Sequence, residues 1–178
     1  MNELETYPML ANWLEHYIFN IHLLENFPKI ETNFKISFKG DGVTWEFDII
    51  AGFETPKLKI PKLYNIEVKI NGDMKGLLHQ SLRNNANWFE YCFVATPLNI
   101  YFEYYQRELF NYYYSDFYNK IRLERKFHFG WIIFDFETER VWIAIPPKEN
   151  KQILARKERN EIFSKLGFKG ENLLLKGY

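Results

Sequence analysis

The sequence predicts an α/β fold with a central mixed β-sheet flanked by helices, and three observations carry that expectation. The 178 residues are 47% hydrophobic and 19% aromatic, ample for one packed core. Segments with apolar residues at helical spacing alternate with segments of period two or of unbroken apolarity. A strand-like, a helix-like and a second strand-like segment follow each other directly, the pattern of a crossover joining parallel strands. The full order is helix, strand, strand, strand, helix, strand, helix, strand, strand, helix. No repeat, low-complexity tract or linker divides the chain, so residues 1–178 are expected to form a single domain.

The first helix is predicted over residues 7–23, where Met9, Leu10, Trp13, Leu14, Tyr17, Ile18 and Ile21 share a face and Pro8 suits a first turn. FKISFKGDGVTWEFDIIAGF alternates on both sides of Gly40-Asp41-Gly42, predicting a hairpin with strands near 34–39 and 43–51. ETPKLKIPK reads as a connection. In YNIEVKIN, Ile66, Val68 and Ile70 fall on one face of a strand, and Glu67 and Lys69 on the other, exposed one. Asn71-Gly72-Asp73 ends that strand, and Asp73 can cap a helix carrying Met74, Leu77, Leu78, Leu82 and Ala86. WFEYCFVATP then reads as a strand covered on both faces. Residues 99–124, rich in Tyr and Phe, are expected to be mainly helical. FHFGWIIFDFETERVWIAIPP predicts a second hairpin turning around Glu137 to Glu139, and residues 150–166 a last helix. That helix is basic around its start, with Lys148, Lys151, Arg156, Lys157 and Arg159.

Lys plus Arg and Asp plus Glu are 23 each, which rules out a global field that would attract any polyanion; a nucleic-acid partner has to be met by local charge. The single cysteine, Cys92, excludes an intramolecular disulfide and a multi-cysteine zinc site, and its apolar setting points to a core thiol in a reducing compartment. No apolar run reaches the roughly 18 residues of a membrane span, and MNELETYP is acidic where a signal peptide is basic. A cytoplasmic protein without membrane association is expected.

Chemistry concentrates in two neighbouring strands. TWEFDII places Trp45, Phe47 and Ile49 on one face and Glu46 and Asp48 on the other, with Asp48 deepest in apolar sequence. A carboxylate there is costly unless it is paired or bound to a cation. If the strands are adjacent, Asp48, Glu67 and Lys69 converge. Two close carboxylates raise a pKa or attract a hard divalent cation such as magnesium. A lysine beside them can position a water or stabilise charge developing on a phosphate. The set suits metal-assisted phosphodiester hydrolysis.

Asp48 followed by Glu67-Val68-Lys69 on the next strand resembles the PD-(D/E)XK nuclease superfamily, which includes type II restriction endonucleases and Holliday-junction resolvases. The order of elements over residues 1–97 is similar to that family's restriction endonuclease-like core, and the GWIIFDF strand also fits. Phe47 stands where many members have proline before the aspartate. The resemblance implies a Mg2+-dependent deoxyribonuclease, with Mn2+ as substitute, acting on DNA, and, since many relatives cut two strands as dimers, a homodimer. It implies Asp48 and Glu67 as metal ligands, an acid of the first helix as a third, and Lys69 acting on water or phosphate. NELETYP resembles family starts with a Glu before a Tyr-Pro pair, which favours Glu3 over its rivals Glu5 and Glu15. Gln80, in LLHQSLRNN, matches the polar residue that often assists from the following helix, with His79 beside it.

Each residue also has a plainer role. Glu67 with Lys69 can be a surface ion pair worth about 0–1 kcal/mol, Gln80 and His79 can belong to a solvated helix face, and His16, His22, His79 and His128 lack zinc-ligand spacing. YFEYYQRELFNYYYSDFY can stack on bases or pack on the sheet, and the lysines of ETPKLKIPK and of 148–159 can meet phosphate or water. A binding module that keeps the fold without catalysis is the alternative function, and an RNA-directed or nucleotide-activated nuclease a third.

Overall fold

The computed structural model describes residues 2–38, 42–54, 61–71, 74–100 and 129–168, with backbone alone at 74, 75, 78, 82 and 156. Three helices, α1 (Glu3–His22), α2 (Met74–Asn87) and α3 (Arg156–Lys165), flank six strands among these residues. The strands are β1 (Lys29–Ser37), β2 (Thr44–Phe53), β3 (Lys62–Val68), β4 (Tyr91–Pro97), β5 (Gly130–Asp135) and β6 (Arg140–Ile145). They form one mixed sheet in the order β1-β2-β3-β4-β5-β6. The outer pairs are antiparallel, whereas β3–β4 and β4–β5 are parallel. The α/β class, both hairpins and the parallel crossover are therefore as expected. The expected helix over 99–124 lies largely outside the described residues, as do Lys57, Lys59, Arg107 and His128. No helix among the described residues is long and apolar enough to cross a membrane.

The sheet has a core on each face. Leu10, Leu14 and Ile18 of α1 cover Ile49, Ile66, Val68 and Phe93 on one side. On the other, Leu77 of α2 and Ile162 and Phe163 of α3 cover Phe47, Ile50, Val94 and Trp131. Every residue of β4 is buried, as an interior strand between two parallel neighbours requires.

Several boundaries depart from the sequence reading for identifiable reasons. α1 begins at Glu3 rather than residue 7, because Asn2 and Glu5 form a capping box; Pro8 consequently sits in the second turn. β1 starts at Lys29 rather than near residue 34, because β2 runs on to Phe53 and pairs Lys29 with Gly52. α3 starts at Arg156 rather than residue 150, since Asn150, Leu154 and Ala155 donate their amides to the carbonyls of Glu90, Ala86 and Asn87 instead of entering a helix. The buried side of α2 is largely polar, with Ser81, Asn84 and Asn85 inaccessible beside Leu77 and Ala86.

Two corrections concern the strands that carry the chemistry. Phe47 and Ile49 pack in opposite cores rather than on one face. Asn33 adopts a left-handed conformation (φ 50°) between the pairs Thr32–Ile49 and Phe34–Phe47, so β2 turns at Asp48. The side of β3 that carries Glu67 is not exposed, because the strand is interior and α2 lies against it.

Candidate functional site

Pairing between β2 and β3 ends at Ile49–Ile66, and a cavity of about 270 Å³ opens where the strands part. Glu3, Asp48, Glu67, Val68, Lys69, Gly76, Leu77 and Gln80 line it. The residues singled out in the sequence as Asp48, Glu67, Lys69, Gln80 and Glu3 thus come from four elements or their ends to one place. Of the three rival acids on α1, Glu5 is engaged in the capping box and Glu15 does not line the cavity. His79 lies exposed on α2 and does not line it either.

Asp48 occupies the first position beyond the ladder, where its carboxylate replaces a backbone carbonyl. Val68 donates its amide to Oδ2 at 2.7 Å, and the Tyr7 hydroxyl donates to Oδ1 at 2.6 Å. Burial pushes the Asp48 carboxyl above the usual range, with Glu3 adding to the rise, against the Tyr7 and Val68 hydrogen bonds and the Lys69 charge. The Tyr7 phenol is itself raised by burial and by its contact with Asp48, so it stays protonated and acts as a donor.

Glu67 is 1% exposed. Gln80 Nε2 donates to its Oε2 at 2.5 Å, and Asn84 Nδ2, one turn further along α2, donates to its Oε1 at 2.6 Å. Asn84 also reaches Asn65 Oδ1 at 3.4 Å. Asn65 in turn donates to the Ile49 carbonyl at 3.3 Å. Burial and the nearby Asp48 charge raise the Glu67 carboxyl well above the ordinary range, while Asn65, Arg83 and Asn84 pull it down.

Lys69 follows the last residue of β3 and extends the parallel ladder by donating its amide to Ala95 O at 2.9 Å. Its ammonium lies 3.2 Å from Glu3 Oε1, with both side chains about one-third exposed. The sequence had set Lys69 on the same side as Glu67, but its ion pair is with α1 whereas Glu67 is held by α2. Tyr7, Asn65 and Asn84 were not anticipated as site residues. The one signal pointing to Asn84 was its position a turn after Gln80; Tyr7 stood out only in the Tyr-Pro pair, and nothing marked Asn65.

Other charges named in the sequence are placed elsewhere. Arg159 is buried and paired with Glu90, so it is not a surface contact for phosphate. Lys62 is bound to Glu149 at 2.6 Å, while Lys148, Lys151 and Lys157 are exposed.

Among the described residues, no three His, Cys, Asp or Glu side chains stand close enough together to hold a metal ion as they are arranged. The donors nevertheless suit one in kind. Three carboxylates face one cavity, two of them largely removed from water, and they offer the hard oxygen donors that magnesium takes alongside water. No family model, curated protein or solved structure matches the chain.

Proposed function

We propose that this chain is a magnesium-dependent deoxyribonuclease of the PD-(D/E)XK type, with a restriction endonuclease-like core. The observation that carries the reading is the meeting of Asp48, Glu67, Glu3 and Lys69 around one cavity at the parting of β2 and β3. The antiparallel, parallel and antiparallel succession of strands, with α2 between β3 and β4, supports it.

Asp48 and Glu67 would hold the cation and Glu3 would complete the set, once released from Lys69. When bound, the cation supplies Lewis acidity at the phosphate and lowers the pKa of a coordinated water. Tyr7 and Val68 orient Asp48, and Gln80 and Asn84 orient Glu67, so neither carboxylate has to be ordered as substrate arrives. Lys69 donates to the scissile phosphate or to the attacking water, and its backbone amide on β4 fixes where the side chain starts. Hydrolysis forms a bond from water oxygen to phosphorus and breaks a phosphorus–oxygen ester bond, the leaving oxygen taking up a proton.

Alanine at Asp48, Glu67 or Lys69 is expected to lower cleavage by at least about 10²-fold, the scale of losing one group that stabilises developing charge. A panel of labelled linear, branched and single-stranded DNA with Mg2+ reads this out. Metal-dependent cleavage surviving all three changes would sink the assignment.

The Lys69–Glu3 ion pair favours a second reading, in which the cavity is closed by its own charges and the chain is a nucleic-acid-binding or assembly module. Calorimetry separates the two, since Mg2+ or Mn2+ binding that disappears with Asp48→Ala supports the nuclease and its absence supports the module.

A further inference from the structure

We propose that Tyr7 is a positioning residue for Asp48, so that helix α1 supplies one acid, Glu3, and one turn later the hydroxyl that aims a second. The inference rests on the cavity being a cation site, and it adds a residue whose only role is orientation.

The geometry is specific. Each oxygen of Asp48 takes one donor, Oδ1 from Tyr7 at 2.6 Å and Oδ2 from the Val68 amide at 2.7 Å. An ionised carboxylate offers about four lone-pair sites, so one donor per oxygen stops rotation of the group while leaving each oxygen a free direction. The two donors sit on different elements, α1 and β3, and the carboxylate is aimed only when α1 is docked on the sheet. Docking is secured by burial: Tyr7 is 6% exposed and packs in one core with Leu10 and Leu14.

The choice of a phenol matters as much as its place. A lysine or arginine at this point would neutralise Asp48 and compete with a cation. A neutral hydroxyl orients the carboxylate and leaves its charge in the cavity. Groups that hydrogen-bond to ligating carboxylates typically change metal affinity by about 10- to 100-fold.

Tyr7→Phe tests this, because it keeps the ring in the core and removes only the donor. Tyr64→Phe is the control, removing a buried hydroxyl that lies 3.0 Å from His22 Nε2, away from the cavity. In metal-free protein, Tyr7→Phe is expected to shift the carbon resonance of the Asp48 carboxyl, and Tyr64→Phe to leave it in place. In a calorimetric titration, Tyr7→Phe is expected to weaken Mn2+ binding by about 10- to 100-fold while Tyr64→Phe binds as the parent chain does. An unmoved Asp48 resonance, or equal Mn2+ affinity in Tyr7→Phe and the parent, would overturn the inference. If the parent chain binds no Mn2+, the metal reading of the cavity fails, and the resonance alone then decides whether Tyr7 aims Asp48.

Discussion

Glu67 and Glu90 stand at opposite ends of the parallel β3–β4 pair, and they solve the same problem differently. Both are nearly inaccessible, at 1% and 7% exposure, and burial raises the carboxyl of each. Glu90 answers with a cation: it accepts from Arg159 on α3 and from the Leu63 amide, and Arg159 also donates to Pro61 O. That arrangement ties α3 to the entry of β3. Glu67 answers with the amides of Gln80 and Asn84, which satisfy its oxygens beside a cavity without a paired cation among the described residues in hydrogen-bond contact. A buried acid closed by arginine holds the fold together. One held by neutral donors stays open to a ligand from the cavity.

Breaking the closed pair should have the largest effect. Arg159→Met leaves Glu90 buried with its arginine gone, and the unfolding free energy is expected to fall by about 3–5 kcal/mol in urea denaturation. Adding Glu90→Gln should recover most of that loss. A small effect of Arg159→Met would mean that the two acids are held alike.

At the open site the expectation has the opposite sign. Because the folded Asp48 carboxyl lies above its unfolded range, the native state holds its proton longer; stability is present at low pH and falls as pH rises from about 4 through the folded value. Asp48→Asn removes that penalty. Its amide can accept from Val68 and donate to the Tyr7 oxygen, so the variant is expected to be more stable than the parent chain at pH 8 and to differ little from it near pH 4. Thermal melts at the two pH values check this, and Mg2+ should raise the midpoint of the parent chain more at pH 8 than at pH 5.

The smallest effect belongs to the Lys62–Glu149 pair at the Glu90 end of the sheet. Burial works to raise the Glu149 carboxyl, but the hydrogen bond and charge of Lys62, helped by Tyr91, hold it below its usual range. Its contribution is therefore present above the unfolded pKa and lost as pH falls through the folded one. The pair is partly solvated, at 18% and 30% exposure, and Glu149→Gln is expected to cost no more than about 1 kcal/mol in the same melts.

The elements legible in the sequence were those with a pattern of their own. The crossover from β3 through α2 to β4 was readable because Asn71-Gly72-Asp73 and an unbroken apolar run bracket it, and the charges of Asp48, Glu67 and Lys69 were conspicuous in apolar surroundings. What escaped depends on partners distant along the chain. Tyr7 stood out only as half of the Tyr-Pro pair in NELETYP, and its role exists only because β2 ends its pairing at Ile49. Asn84 and Asn65 are ordinary polar residues until α2 is laid on β3. Arg159 looked like one of several surface cations because nothing local marks its contact with Glu90. The alternation expected through Phe47 and Ile49 failed because the turn in β2 comes from Asn33, on the neighbouring strand.

The amide of Val68 gives the cavity a built-in reporter. Most strand amides are shielded from solvent exchange by a carbonyl, which does not titrate, but this one is shielded by the carboxylate of Asp48. Its proton should therefore exchange faster when that carboxylate is protonated or drawn away, and slower when it is locked. A single backbone resonance, followed through a titration with acid or with any added ion, can read the state of the site without a substrate in hand.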